Sequence, residues 1–220
     1  YLVETGTKSP GSWMTASIDA AFASNAAVSV TIPMMDYVTS GRAGTIDSPA
    51  SPTNTWFRPN STAHQLGAVN FLKNRYASAI AAGKKLFFGL DNEPGIWHEM
   101  HPLDHPAHPT YAELAQKTKA YAKMIKSALP EAVVFGGVTY GYSEMKNLQG
   151  APDARNPNGT WDYVEFLLAA IRQAELEAGR RVVDVFDMHW YPETRADGYR
   201  ICEEGGRANE LGYTNPSENL

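Results

Sequence analysis

Apolar and β-branched residues gather in four short runs, at residues 27–33, 86–90, 132–138 and 182–191, and each run is bounded by Gly, Pro or polar residues. Runs of this length and composition are strand-like, and runs without alternation suggest strands covered on both faces. Between and before them, apolar residues recur at helical spacing. Ile18, Ala21 and Phe22 predict a short helix over residues 15–24, with Thr15 or Ser17 able to cap it. Ala68, Leu72, Tyr76, Ala79 and Ile80 predict a helix over residues 61–82, stopped by Gly83. Leu114, Thr118, Tyr121, Ile125 and Leu129 share one face of a helix over residues 110–129 that Pro130 ends. Phe166, Leu167, Ala170, Ile171 and Ala174 do the same over residues 161–178. Strands alternating with crossover helices give a parallel sheet. Residues 1–13, 39–59, 97–109, 140–159 and 193–220 read as connecting segments, rich in Gly, Pro, Ser or Asn and without period.

The second run ends in Asp91-Asn92-Glu93-Pro94. Pro94 has no N–H to give to a ladder, so the strand should stop there and leave Glu93 at its C-terminal end. In α/β barrels that rim carries the catalytic side chains, and a carboxyl standing there suits general acid catalysis on a glycosidic oxygen. The plainer reading is an exposed loop carboxylate that happens to follow a strand.

Two words decide between them. Asp91-Asn92-Glu93-Pro94-Gly95-Ile96-Trp97-His98-Glu99, followed by His101-Pro102, and the later Asp187-Met188-His189-Trp190-Tyr191-Pro192 resemble glycoside hydrolase family 44, in that order. Asn-Glu-Pro alone is shared by many barrel glycosidases; the longer word together with the second is much more specific.

The resemblance implies an endo-acting, retaining β-1,4-glucanase on a (β/α)8 (TIM) barrel. Glu93 would be its acid/base, and Asn92 would hydrogen-bond the sugar 2-hydroxyl. The nucleophile would be a Glu at the end of the seventh strand, outside this chain. Set against the family, residues 1–220 resemble part of a single catalytic domain, its third to sixth strands, with the flanking strands and any β-sandwich domain elsewhere. Such a segment is expected to continue into further barrel sequence and to be inactive alone for want of the nucleophile. Glu193, Glu203 and Glu204 lie in loop sequence beyond the sixth-strand word and are not assigned that role.

Trp97, Trp190 and Tyr191 stand just beyond strand ends, where aromatic faces can stack on sugar rings; packing against a neighbour is the plainer alternative for each. Trp56 and Trp13 are weaker candidates, and Trp161 reads as a residue that caps or packs its helix. His189 could bind a sugar hydroxyl or orient a carboxylate. His98, His101, His105 and His108 recur at steps of three and four with Glu99 and Asp104 among them, which could hold a structural calcium or zinc. Pro102, Pro106 and Pro109 prevent one regular helix from presenting all four.

Composition narrows the classes further. The chain has 220 residues, 43% hydrophobic and 20% charged, enough for one sizeable core. A net charge of -5 without a basic run argues against nucleic acid or an anionic membrane as partner. Cys202 is the one cysteine, so no intrachain disulfide forms. No stretch is long and apolar enough for a membrane span, and Tyr1-Leu2-Val3-Glu4-Thr5 lacks the basic start of a signal peptide. The reading is therefore an endoglucanase acting on β-1,4-linked polysaccharide, cellulose-like or xylan, secreted by family resemblance and requiring no organic cofactor. Its rivals are a non-catalytic carbohydrate-binding barrel and a metal-dependent hydrolase built on the His98–His108 loop.

Overall fold

A computed structural model of the chain describes residues 11–39, 49, 57–155, 161–190, 195–196 and 199–200. It divides into two compact units, residues 1–188 and 189–220. In the first, α1 (Ser12–Ala23) leads into β1 (Val28–Ile32), and β2 (Tyr37–Thr39) pairs antiparallel with β3 (Phe57–Pro59). Then come α2 (Thr62–Arg75), α3 (Ala77–Ala81), β4 (Leu86–Leu90), a 3-10 turn (Pro94–Ile96) and α4 (Trp97–Met100). The unit closes with α5 (Tyr111–Ala128), β5 (Val133–Thr139), α6 (Tyr142–Asn147), α7 (Asp162–Ala178) and β6 (Val185–Met188). The second unit contains the short antiparallel pair β7 (Arg195–Ala196) and β8 (Tyr199–Arg200).

The four runs expected as strands form one parallel sheet in the order β1-β4-β5-β6, with Val30 opposite Phe88 and Phe88 opposite Val134. One face of this sheet is the core. Val30, Ile32, Leu86, Phe88, Leu90 and Val134 pack with Val69 and Leu72 of α2, Leu114 and Ile125 of α5 and Leu167 and Ile171 of α7. The alternate residues Ser29, Thr31, Phe87, Gly89 and Phe135 are exposed or half-buried, and the Phe87 and Phe135 rings meet at 5.6 Å. The runs therefore behave as half-buried strands, with helices on one side, where the sequence suggested cover on both. In parallel β/α folds the helices lie on the outer face, which makes this second face the inward one.

Several boundaries differ from expectation. The helix expected over residues 61–82 breaks at Tyr76, whose φ is -105° and whose hydroxyl donates to the Thr15 carbonyl, tying α2 to α1. The last run pairs only over Val185–Met188; just before it, the Asp184 backbone and side chain bond to Val134, and its carboxylate to the buried Lys126. Residues 39–59 and 140–159, taken as loops, contribute part of the β2–β3 pair and all of α6.

Candidate active site

Glu93 follows β4 by three residues and lies at the C-terminal end of the parallel sheet, half-buried. Its seat is made by neighbouring elements. Asp91 N–H donates to the Ile32 carbonyl of β1 at 3.0 Å, and the Asp91 carboxylate accepts from the Met34 and Asn92 backbone N–H groups. Burial pushes the Asp91 carboxyl above its ordinary range, against the pull of those two N–H groups. On the other side, Glu93 N–H donates to the Val138 carbonyl of β5 at 2.8 Å, while the Glu93 carbonyl accepts from Ile96 N–H at 3.2 Å. Glu93 is thus fastened to β5 and to its own turn, and to β1 only through Asp91, two residues before it.

This seat is built from unusual backbone. Asp91 (φ 64°), Glu93 (φ 50°) and Val138 (φ 42°) all lie in the left-handed region, which is rare for a β-branched residue such as Val138. Conformations of this kind cost about 1–3 kcal/mol each and persist where surrounding structure enforces them, commonly at functional sites. A bulge between Gly137 and Thr139 produces the Val138 geometry. Gly137 is required there: its φ is 97°, and a Cβ would stand 2.8 Å from the Phe186 ring and 2.9 Å from the Asp187 carbonyl. The Gly136-Gly137 pair thus allows a close backbone approach at the rim.

A second carboxyl, not singled out by sequence, stands next to the first. Glu144 of α6 is completely buried, with Oε2 accepting from Tyr140 N–H at 2.7 Å. Burial pushes it up to about 8, and the Glu93 charge adds to that rise. No local pattern marks Glu144, which sits in a Gly- and Asn-rich stretch; only its approach to the Glu93-Pro94-Gly95 turn gives it significance.

Asn92 is exposed on the turn beside Glu93. Trp97, in contrast, is 1% exposed and belongs to the core, edge-on to His105 at 5.2 Å. The 3-10 turn after Glu93 rotates Trp97 inward, so its face offers no platform to a sugar. Its indole N–H makes no well-formed hydrogen bond, although it lies near enough to the Asp91 carboxylate to favour the charged form. Trp161 moves the opposite way. It is 40% exposed and edge-on to Tyr142, itself 50% exposed, with ring centroids 5.7 Å apart. Its backbone is fixed in the left-handed region (φ 64°), and the neighbouring Asp162 carboxylate accepts from Tyr111 Oη and Arg155 N–H. His189 and Trp190 follow β6 and begin the second unit, with Trp190 exposed. Tyr191 and Trp56 lie outside the described residues, as do Glu193, Glu203 and Glu204.

The histidine-rich loop is occupied by its own partners. His98 and His108 rings stack at 4.2 Å, and His105 Nε2 meets the Glu113 carboxylate at 3.0 Å, which raises the His105 titration. His108 bonds to the Pro109 and Gln149 carbonyls, and His101 lies 3.8 Å from Asp104. Among the described residues no three His, Cys, Asp or Glu side chains converge to hold a metal ion. The metal-dependent alternative therefore has no ligand set within them. No described helix is long and apolar enough to cross a membrane.

A parallel β/α sheet with a carboxyl-bearing residue at its C-terminal rim is the arrangement in which β/α barrels carry their catalytic side chains. The chain belongs to glycoside hydrolase family 44, whose model matches residues 43–194. It is 33% identical to endoglucanase A of Paenibacillus lautus, over 94% of this chain and 32% of that protein. It is 34% identical to a β-mannanase/endoglucanase A of Caldicellulosiruptor saccharolyticus, over 82% of this chain and 15% of that one. The family 44 xyloglucanase of Paenibacillus polymyxa superposes with a TM-score of 0.78 at 31% identity, covering 90% of this chain and 42% of that structure. The chain thus spans about a third of the length of the first relative, and its sheet corresponds to about four β/α units of a (β/α)8 barrel.

Proposed function

We propose that this chain is the central part of an endo-acting, retaining β-1,4-glucan hydrolase in which Glu93 is the general acid/base. The observation that carries this reading is the seat of Glu93. A backbone held to β1 at Asp91 and to β5 at Glu93 fixes the point from which the Glu93 side chain leaves the rim, as an acid that must meet a leaving oxygen requires. Glu93 would protonate the glycosidic oxygen and then take a proton from the attacking water. A carboxylate outside this chain would form the glycosyl-enzyme intermediate. Asn92, exposed beside it, would meet the sugar 2-hydroxyl. This chemistry needs two carboxyl groups and no organic cofactor. His189, Trp190 and Tyr191 are retained as sugar contacts on the family likeness alone, and secretion as the expected location.

The substrate is a β-1,4-linked glucan, plain or branched, with xylan as a further candidate; relatives named for endoglucanase and xyloglucanase activity support the glucan backbone. The test is a reducing-end assay of the full-length protein on soluble cellulose derivative, xyloglucan and xylan, with and without chelator. Release of internal fragments from the glucans, unchanged by chelator, is expected. Saturable binding without release would leave a carbohydrate-binding barrel in its place.

Tyr142 and Trp161 supply exposed ring surface on the segments that follow β5, on the same rim as Glu93. Sugar C–H faces stack on such rings, worth about 1 kcal/mol per contact. Trp161→Ala is expected to raise KM for polymer by roughly 5- to 10-fold, as about 1 kcal/mol implies, with a smaller change for a short, activated aryl cellobioside. An unchanged polymer KM would remove Trp161 from the cleft.

A further inference from the structure

One carboxyl beside Glu93 has no part in the reaction described above. Glu144 is fully buried, its Oε2 accepts from Tyr140 N–H at 2.7 Å and also faces Gly95 N–H, and its Oε1 has no hydrogen-bond partner. The contact with Gly95 is so close that a Cβ there would stand 2.6 Å from Glu144 Cδ and Oε2. Gly95 is two residues beyond Glu93 and lies inside the 3-10 turn whose Ile96 N–H binds the Glu93 carbonyl. A single side chain therefore joins the turn that follows β4 to the turn that follows β5.

We propose that Glu144 is a positioning residue for Glu93: it grips the Glu93-Pro94-Gly95 turn through Gly95 and fixes where the Glu93 carboxyl stands. This rests on the reading of Glu93 as the acid/base. An apolar side chain of similar size could fill the niche but could not accept from two backbone N–H groups, and leaving those groups unpaired in a buried place would loosen the turn. A carboxyl accepts from both in either protonation state, and burial beside the Glu93 carboxyl favours the protonated one. The groups facing it are the Glu93 carboxyl from the β4 turn and the Tyr163 phenol from α7. Neither offers a positive charge to favour its ionised form.

The sign of the pH dependence follows. A carboxyl whose titration is raised on folding, here from 4.5 to about 8, contributes stability that is full below about 4.5 and lost as pH rises through about 8. Glu144→Gln, neutral at every pH, should not show that loss.

The test uses the full-length enzyme with Glu144→Gln and Glu144→Leu, checked for native near-UV circular dichroism, and reads kcat and KM on xyloglucan oligosaccharide at pH 6. Glu144→Leu is expected to lower kcat by about 10- to 100-fold with KM within about 3-fold, the signature of a displaced acid. Glu144→Gln should recover kcat to within about 5-fold of the parent, since only its amide N–H pair differs from the protonated acid. Its melting midpoint should fall less than the parent's between pH 6 and pH 9. A folded Glu144→Leu enzyme with parental kcat would overturn the proposal, and so would Glu144→Gln losing as much as Glu144→Leu. Should the Leu variant not fold, a folded Gln variant whose kcat falls by much more than about 5-fold overturns it instead. Glu93→Gln separates the two readings: parental turnover there defeats the acid/base assignment itself, whereas an inactive Glu93→Gln beside a parental Glu144→Leu defeats this inference alone.

Discussion

Glu93→Gln in the full-length enzyme is expected to lower kcat on unactivated β-1,4-glucan by about 10²- to 10⁴-fold, the range that general acid–base catalysis supplies, with oligosaccharide affinity close to the parent's. The amide keeps the size and the backbone contacts of Glu93, whose N–H to Val138 and carbonyl to Ile96 do not involve the side chain. What it lacks is the proton for the leaving oxygen. A substrate with a good leaving group needs little of that help, so the first half of the reaction should recover on an aryl cellobioside. The second half should stay slow because no base activates the water. Added azide, which attacks without being deprotonated, should then raise turnover of the variant and yield a glycosyl azide. Parental kcat on polymer, or no response to azide, would remove Glu93 from the acid/base role.

Gly95→Ala is the second large effect expected, and it has a steric origin. Its Cβ would meet Glu144 Cδ and Oε2 at 2.6 Å, and Glu144 is fully buried with Oε2 tied to Tyr140, so neither side can withdraw cheaply. Forcing an extra methyl into packed interior costs about 1–3 kcal/mol. The turn that yields carries Glu93, and a shift near 1 Å in a reacting group can cost about 10²-fold in rate. We expect a loss of about 1–3 kcal/mol in denaturant unfolding together with a roughly 10- to 100-fold lower kcat. Gly67→Ala is the control. Gly67 is exposed within α2 with nothing within 4 Å of its added Cβ, so the change should be neutral or stabilise by up to about 1 kcal/mol. If Gly95→Ala behaves like Gly67→Ala, the tight packing of Glu144 on the turn is not part of the site.

The long helices were readable because their information is local. In α5, Leu114, Thr118, Tyr121 and Ile125 fall on one face and are buried, and Thr110 accepts from Glu113 N–H to start it, within one residue of the expected boundary. The strands β1, β4 and β5 were equally plain, since β-branched or aromatic runs closed by Pro or Gly have few other uses. The α2–α3 break was not, because Tyr76 leaves the helix to reach Thr15, 61 residues away, while the apolar spacing continues as if nothing had happened. The β2–β3 pair hid in a Ser-, Thr- and Pro-rich stretch, where antiparallel pairing depends on a partner about twenty residues distant.

The order of elements, the parallel sheet, and the placing of Glu93 after the second long strand followed from apolar spacing and from one proline, properties that each segment carries within itself. Which aromatic faces solvent did not follow. Trp97 and Trp161 sit equally close to element ends in the chain, yet one is turned into the core by a 3-10 turn and the other is held out beside Tyr142. Nor did the second carboxyl of the site. Glu144 and Gly95 are 49 positions apart, and their contact exists only because β4 and β5 lie side by side and the turns beyond them close on each other. Burial and charge environment are set by what approaches from elsewhere in the chain, so they become visible only once the strands have paired.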